Sequence, residues 1–148
     1  MRIAVLNGVN LDVLGRRDPE LVRRCAAFKA AVCLRDPLDR DERAMLNLGH
    51  TFAHALEAGA DFALAHGDAV ALGLLAALRL LGNDDGLRDV ESELAPRPVR
   101  VDVERAWEAM RRDKKGPLRL ILLGADGAFE TQLPERDVRM ALDELIAE

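Results

Sequence analysis

The side chains best suited to chemistry are concentrated in one stretch, Asn47-Leu48-Gly49-His50-Thr51-Phe52-Ala53-His54, followed by His66-Gly67-Asp68. All 3 histidines of the chain lie within it. His50 and His54 are four positions apart, so on a helix they face the same way and one ion could touch both. Asn47 stands one turn earlier and Arg43 another turn before that, which draws a polar stripe along one helical face. His66 stands at a loop-to-helix junction, where a rigid element can hold a ligand. Imidazoles with oxygen partners suit Zn²⁺ or a similar divalent ion. Spacing alone leaves open which two histidines are ligands. A single histidine is more often a surface group or a satisfied core residue, but the whole complement of the chain beside Arg43 and Asn47 favours a site.

The elements that must position these residues are mostly helical. Asp18-Pro19 is an N-cap followed by proline at the first helical position. A helix is expected from there to about Leu34, with Leu21, Val22, Cys25, Phe28 and Val32 on its apolar side, broken by Pro37. A second helix is expected from about Asp41 to Ala58, ending at Gly59. His66-Gly67-Asp68 opens a third, apolar through Leu81. Its run from Ala69 to Leu78 has the length and flanks of a buried core helix rather than a membrane span.

Gly82-Asn83-Asp84-Asp85-Gly86 and Pro96-Arg97-Pro98 are breakers. Asp102 is placed to cap a helix reaching Arg112. Leu118 to Leu123 and Ala128 to Gln132 frame Gly124-Ala125-Asp126-Gly127 as a β-hairpin, and Pro134 starts a terminal helix. Ile3 to Leu6 is a short apolar run closed by Asn7-Gly8, the pattern of a buried strand. The expected fold class is therefore mainly α: about six helices, one hairpin, and an N-terminal strand that adds to the hairpin edge or to another chain.

The totals agree with a single packed domain. The chain has 148 residues, 49% apolar and 32% charged, which argues against disorder. Aromatics are only 3%, so Leu, Ala and Val must fill the core. The formal net charge of −5 and the lack of a basic face argue against a nucleic-acid partner. No stretch is long and apolar enough for a signal peptide or membrane anchor, and a cytoplasmic location is expected. Cys25 and Cys33 are eight positions apart on one helix, roughly 12 Å along its axis, so reduced thiols are expected.

Leu46-Asn47-Leu48-Gly49-His50-Thr51-Phe52-Ala53-His54-Ala55 and His66-Gly67-Asp68-Ala69-Val70 resemble the two metal-site segments of 3-dehydroquinate synthase. The resemblance extends upstream through Phe28-Lys29-Ala30-Ala31-Val32 and downstream through Arg112-Asp113-Lys114-Lys115 and the strand Leu118 to Leu123. It implies that residues 21–148 form that family's helical domain, which binds a divalent metal, zinc by preference, and a small phosphorylated sugar acid. It further implies that His50 and His66 are metal ligands and that His54 meets the phosphate region of the substrate. Arg43 and Asn47 would also hold the phosphate, Lys29 would meet other polar groups, and Lys114 or Lys115 would reach in from a later helix end. Lys29, His54 and Lys115 are the catalytic candidates. The family is a carbon–oxygen lyase of the shikimate pathway that uses NAD. Gly8 and Gly15 make no dinucleotide fingerprint, and the family's third ligand, a glutamate, has no counterpart here. Turnover by this chain alone is therefore not expected. Exposure of the face that meets the NAD-binding half implies a homo-oligomer.

The first twenty residues resemble a different family. Ile3-Ala4-Val5-Leu6-Asn7-Gly8-Val9-Asn10-Leu11 through Arg17-Asp18-Pro19-Glu20 is similar to the opening of type II 3-dehydroquinate dehydratase. Asn10 and Arg17 match its active-site Asn and Arg. Val22 falls where its catalytic tyrosine would be, Val9 replaces a proline, and its later histidine is missing. The chain thus reads as a dehydratase-like segment, residues 1–20, joined to a synthase-like domain. The alternatives are a metal- or phosphate-binding module or scaffold without turnover, and a dehydratase-related fragment.

Overall fold

A computed structural model describes residues 18–38, 42–112, 118–124 and 127–147. Helix α1, Pro19–Arg35, starts as its sequence demands: Asp18 accepts a hydrogen bond from the Glu20 amide at 2.9 Å, and Pro19 occupies the first turn. Its apolar side is only partly used. Cys25 and Val32 are buried, whereas Leu21 and Phe28 remain about half exposed, because α1 packs chiefly on the short segment that follows it.

That segment departs from the expected second helix. Residues Glu42–Asn47 form a 3₁₀ turn, the chain breaks at Leu48-Gly49, and α2 runs only from His50–Gly59. Gly49 sits at φ +77°, a backbone region closed to most side chains. Gly49 also lies against the backbone of Gly73, where a Cβ on Gly73 would come within 2.1 Å of the Gly49 carbonyl oxygen. The tertiary approach of two backbones, rather than local propensity, ends the continuous helix here.

Helix α3, His66–Arg79, is the centre of the molecule. Every residue from Ala69 to Leu78 is buried, as expected of a core helix. It packs against α2, the following helix α4 (Asp84–Leu94) and the sheet. Among the described residues no helix is long and apolar enough to cross a membrane. The breaker at residues 82–86 is shorter than its composition suggests: Asn83 caps α4 by accepting from the Gly86 amide at 3.0 Å, and Gly86 is buried inside the helix against Leu78.

Asp102 caps α5 (Val103–Arg112) as expected, accepting from the Arg105 amide at 3.0 Å. Gly59 leaves room for this cap region, since a Cβ there would come within 2.8 Å of the Asp102 carbonyl oxygen. Strands β1 (Arg119–Gly124) and β2 (Gly127–Gln132) pair antiparallel from Arg119↔Gln132 to Gly124↔Gly127. Helix α6, Glu135–Asp143, follows Pro134. Beyond it Ile146 bridges Val99 in parallel, a closure of the chain's end that the sequence pattern did not show. The architecture is mainly α, with six α-helices and one hairpin among the described residues. The Ile3–Leu6 strand, its pairing and the 1–20 segment lie outside them, apart from the start of α1.

Candidate metal and anion site

On α2 the side chains divide cleanly. Phe52, Ala53, Ala55, Leu56 and Gly59 are buried against the core. His50, His54 and Glu57 follow one another at spacings of four and three, which lines them up on the opposite face. His66, the first residue of α3, comes back beside them after the loop. The three rings form a triangle, with centroids 5.8 Å apart for His50–His54, 5.5 Å for His50–His66 and 6.2 Å for His54–His66. The sequence signal that grouped the three histidines is therefore realised in space.

Two of the rings are oriented by acceptors. Nδ1 of His50 lies 3.3 Å from the Leu48 carbonyl oxygen, and Nδ1 of His66 lies 2.9 Å from Oε1 of Glu57. A carbonyl or carboxylate oxygen accepts, so each contact favours a proton on Nδ1, and in the neutral ring that leaves the lone pair on Nε2. Burial holds the His50 pKa below its ordinary value, opposed by the Leu48 carbonyl and reinforced by His66 and His54, with Glu57 pulling the other way. A neutral, correctly tautomeric imidazole is the form a metal requires.

Imidazoles bound to one ion through Nε2 would have centroids about 5 Å apart, given metal–nitrogen bonds of about 2.1 Å and a tetrahedral angle. The 5.5 Å of the His50–His66 pair is close to that. Among the described residues no three His, Cys, Asp or Glu side chains converge closely enough to hold an ion. The donor set thus fits a divalent metal as a pair of imidazoles, with the remaining positions left to other ligands.

An open groove of about 460 Å³ borders His54 and is lined by Thr51, Phe62, Met110 and Arg112. Phe62 stands at its rim, 75% exposed, and both it and Asp61 adopt positive φ, 60° and 50°. Asp61 is tied to Arg105 by an ion pair, and the Phe62 amide donates to the Glu57 carbonyl oxygen at 2.7 Å.

The other residues singled out from the sequence are distributed differently. Arg43 is half-buried on the 3₁₀ turn; its amide donates to Asp36 at 3.1 Å and its guanidinium to the Pro37 carbonyl oxygen at 3.4 Å. Asn47 closes the same turn and is exposed. Because the chain breaks at Gly49, Arg43 and Asn47 do not continue the helical stripe of His50 and His54, which corrects that part of the spacing argument. Lys29 is exposed on α1. Asn10, Arg17, Lys114 and Lys115 lie outside the described residues. Sequence reasoning passed over Glu57, although its place three residues after His54 and seven after His50 was the available signal. Arg112 was noticed only as part of a run; its neighbourhood depends on how α5 crosses α2.

Comparison with known proteins decides the family. The model of the 3-dehydroquinate synthase C-terminal domain matches residues 9–116. The chain belongs to that family. The match begins inside the segment read as dehydratase-like. The 3-dehydroquinate synthase of Dehalococcoides mccartyi strain CBDB1 is 36% identical over 155 aligned positions, covering 92% of this chain and 43% of that protein. That of Halorhodospira halophila is 40% identical over 136, covering 80% and 38%. The chain thus spans about two fifths of the length of these relatives. A solved 2-deoxy-scyllo-inosose synthase, complexed with carbaglucose-6-phosphate, NAD⁺ and Co²⁺, shares the fold with a TM-score of 0.71 at 20% identity, over 84% of this chain and 40% of that one.

Proposed function

We propose that this chain is the metal- and substrate-binding part of a 3-dehydroquinate synthase-type lyase, in which His50 and His66 hold a divalent ion and His54 faces the phosphate of a phosphorylated sugar acid. The observation that carries this reading is the triangle of imidazoles, two of them with Nδ1 held against an oxygen acceptor. Zinc is the assigned metal, since nitrogen donors with oxygen ligands in the open positions suit it. When bound, such an ion polarises substrate oxygens.

The chain's own residues do the rest. His54, exposed at the groove, donates to phosphate oxygens together with Arg43 and Asn47, while Lys29 meets the substrate's other polar groups and Lys114 or Lys115 reaches in from the later helix end. Planar guanidinium and ammonium groups are the side chains that suit an anion of this kind. The groove also puts Arg112 within the same region, and we add it to the anion-binding set. The hydride steps of the family belong to an NAD-binding half, outside this domain. A dehydratase role for Asn10 and Arg17 is the lesser reading, tested by dehydration of 3-dehydroquinate.

Zn²⁺ titration of the wild type and of His50→Ala, His54→Ala and His66→Ala separates the roles. Loss of either His50 or His66 should weaken binding at least tenfold, whereas His54→Ala should keep metal affinity and lose affinity for the phosphorylated ligand. If His54→Ala abolishes metal binding and His66→Ala leaves it intact, the helical His50/His54 pair is the chelate and this assignment is wrong.

A further inference from the structure

We propose that Glu57 is the positioning residue of the site: its carboxylate fixes the Nδ1–H tautomer of His66 and thereby leaves the lone pair on Nε2 for a ligand. The consequence for metal binding rests on the reading given under Proposed function, while the tautomer assignment stands on geometry alone.

The Glu57 side chain is only 14% exposed and its Oε1 is 2.9 Å from Nδ1 of His66. Shielding a carboxylate from water is unfavourable unless a donor compensates it, and His66 is that donor. Glu57 is on the last turns of α2 and His66 opens α3, so the contact spans the whole intervening loop. Glu57 contacts the ring through Nδ1, the nitrogen that a metal on Nε2 does not use. Nδ1 and Nε2 lie on different sides of the imidazole, and a metal on Nε2 faces away from the carboxylate. Carboxylate–imidazole–metal relays of this kind orient the ring and raise its basicity.

A purely structural tie between α2 and α3 makes a different prediction, because a glutamine amide both donates and accepts. Glu57→Gln keeps a hydrogen bond to Nδ1 in either tautomer, so a tie would survive and a tautomer lock would not. In the full metal-free chain at about pH 8, where imidazole is neutral, ¹⁵N shifts of the wild type should show His66 as the Nδ1–H form. Glu57→Gln should show a mixture, with an unchanged thermal midpoint. Co²⁺ affinity, read from the visible absorption of the bound ion, should fall roughly 10- to 100-fold in Glu57→Gln. A wild-type His66 carrying its proton on Nε2, or a Glu57→Gln variant that binds Co²⁺ as well as wild type, overturns the proposal. If the wild type takes up no Co²⁺ but His66 is in the Nδ1–H form, the metal reading falls and the positioning role of Glu57 stands.

Discussion

At the residue scale, His50 has a consequence for stability as well as for binding. Its pKa lies below the ordinary 6.5, with burial as the largest cause. An unfolded chain therefore takes up this proton more readily than the folded one. The stability contributed by a neutral His50 is fully present above pH 6.5 and is lost as the pH falls through the depressed folded value. Urea midpoints measured from about pH 7 to about pH 5 should decline, and His50→Gln should flatten that decline. Parallel curves for the two proteins would remove His50 as the source. The same depression keeps Nε2 available to a metal at somewhat lower pH than an ordinary imidazole would allow.

At the element scale, the site depends on how closely α2 can lie on α3. Two glycines meet at that crossing, and Gly49 also supplies the positive-φ link before His50. Gly73→Ala places a methyl group into the Gly49 carbonyl, an overlap that neither backbone can relieve locally. A loss of about 1–3 kcal/mol is expected in urea denaturation, or more if the helices must separate. Displaced α2 should weaken Zn²⁺ binding even though no histidine has changed. Asn83 works at a second junction: it caps α4 and donates to the Leu123 carbonyl oxygen of β1 at 3.3 Å. Asn83→Ala should cost about 1 kcal/mol from the cap, with an additional loss from the unpaired carbonyl.

At the scale of the whole molecule, aliphatic packing around α3 holds the domain together. Phe52 is the one aromatic buried within it, at 1% exposure, and Phe52→Ala should cost about 3–5 kcal/mol. The periphery is less complete. Leu21, Phe28, Leu34 and Leu38 on and after α1 are 50%, 52%, 82% and 66% exposed. Apolar surface of that extent favours association, and light scattering should give a dimer or larger species. Phe28→Glu should shift it toward monomer without lowering stability, because that side chain contributes little to the core. A wild type that stays monomeric at high concentration removes the association from consideration.

The sequence by itself determined the elements with strong local signals. The Asp18-Pro19 start, the Asp102 cap, the core run of α3 and the two strands of the hairpin each depend on backbone preference or continuous hydrophobicity within a few residues. It also determined that His50, His54 and His66 belong together, because two share a helical face and the third begins the next helix. Only the tertiary structure decided where the second helix breaks, since the reason is a Gly73 backbone twenty-four positions beyond Gly49. It likewise decided the pairing of Glu57 with His66, the sharing of one groove by His54 and Arg112, and the bridge from Ile146 to Val99. Each of these joins residues on separate elements, and their meeting is set by how helices cross around α3 rather than by any periodicity along the chain.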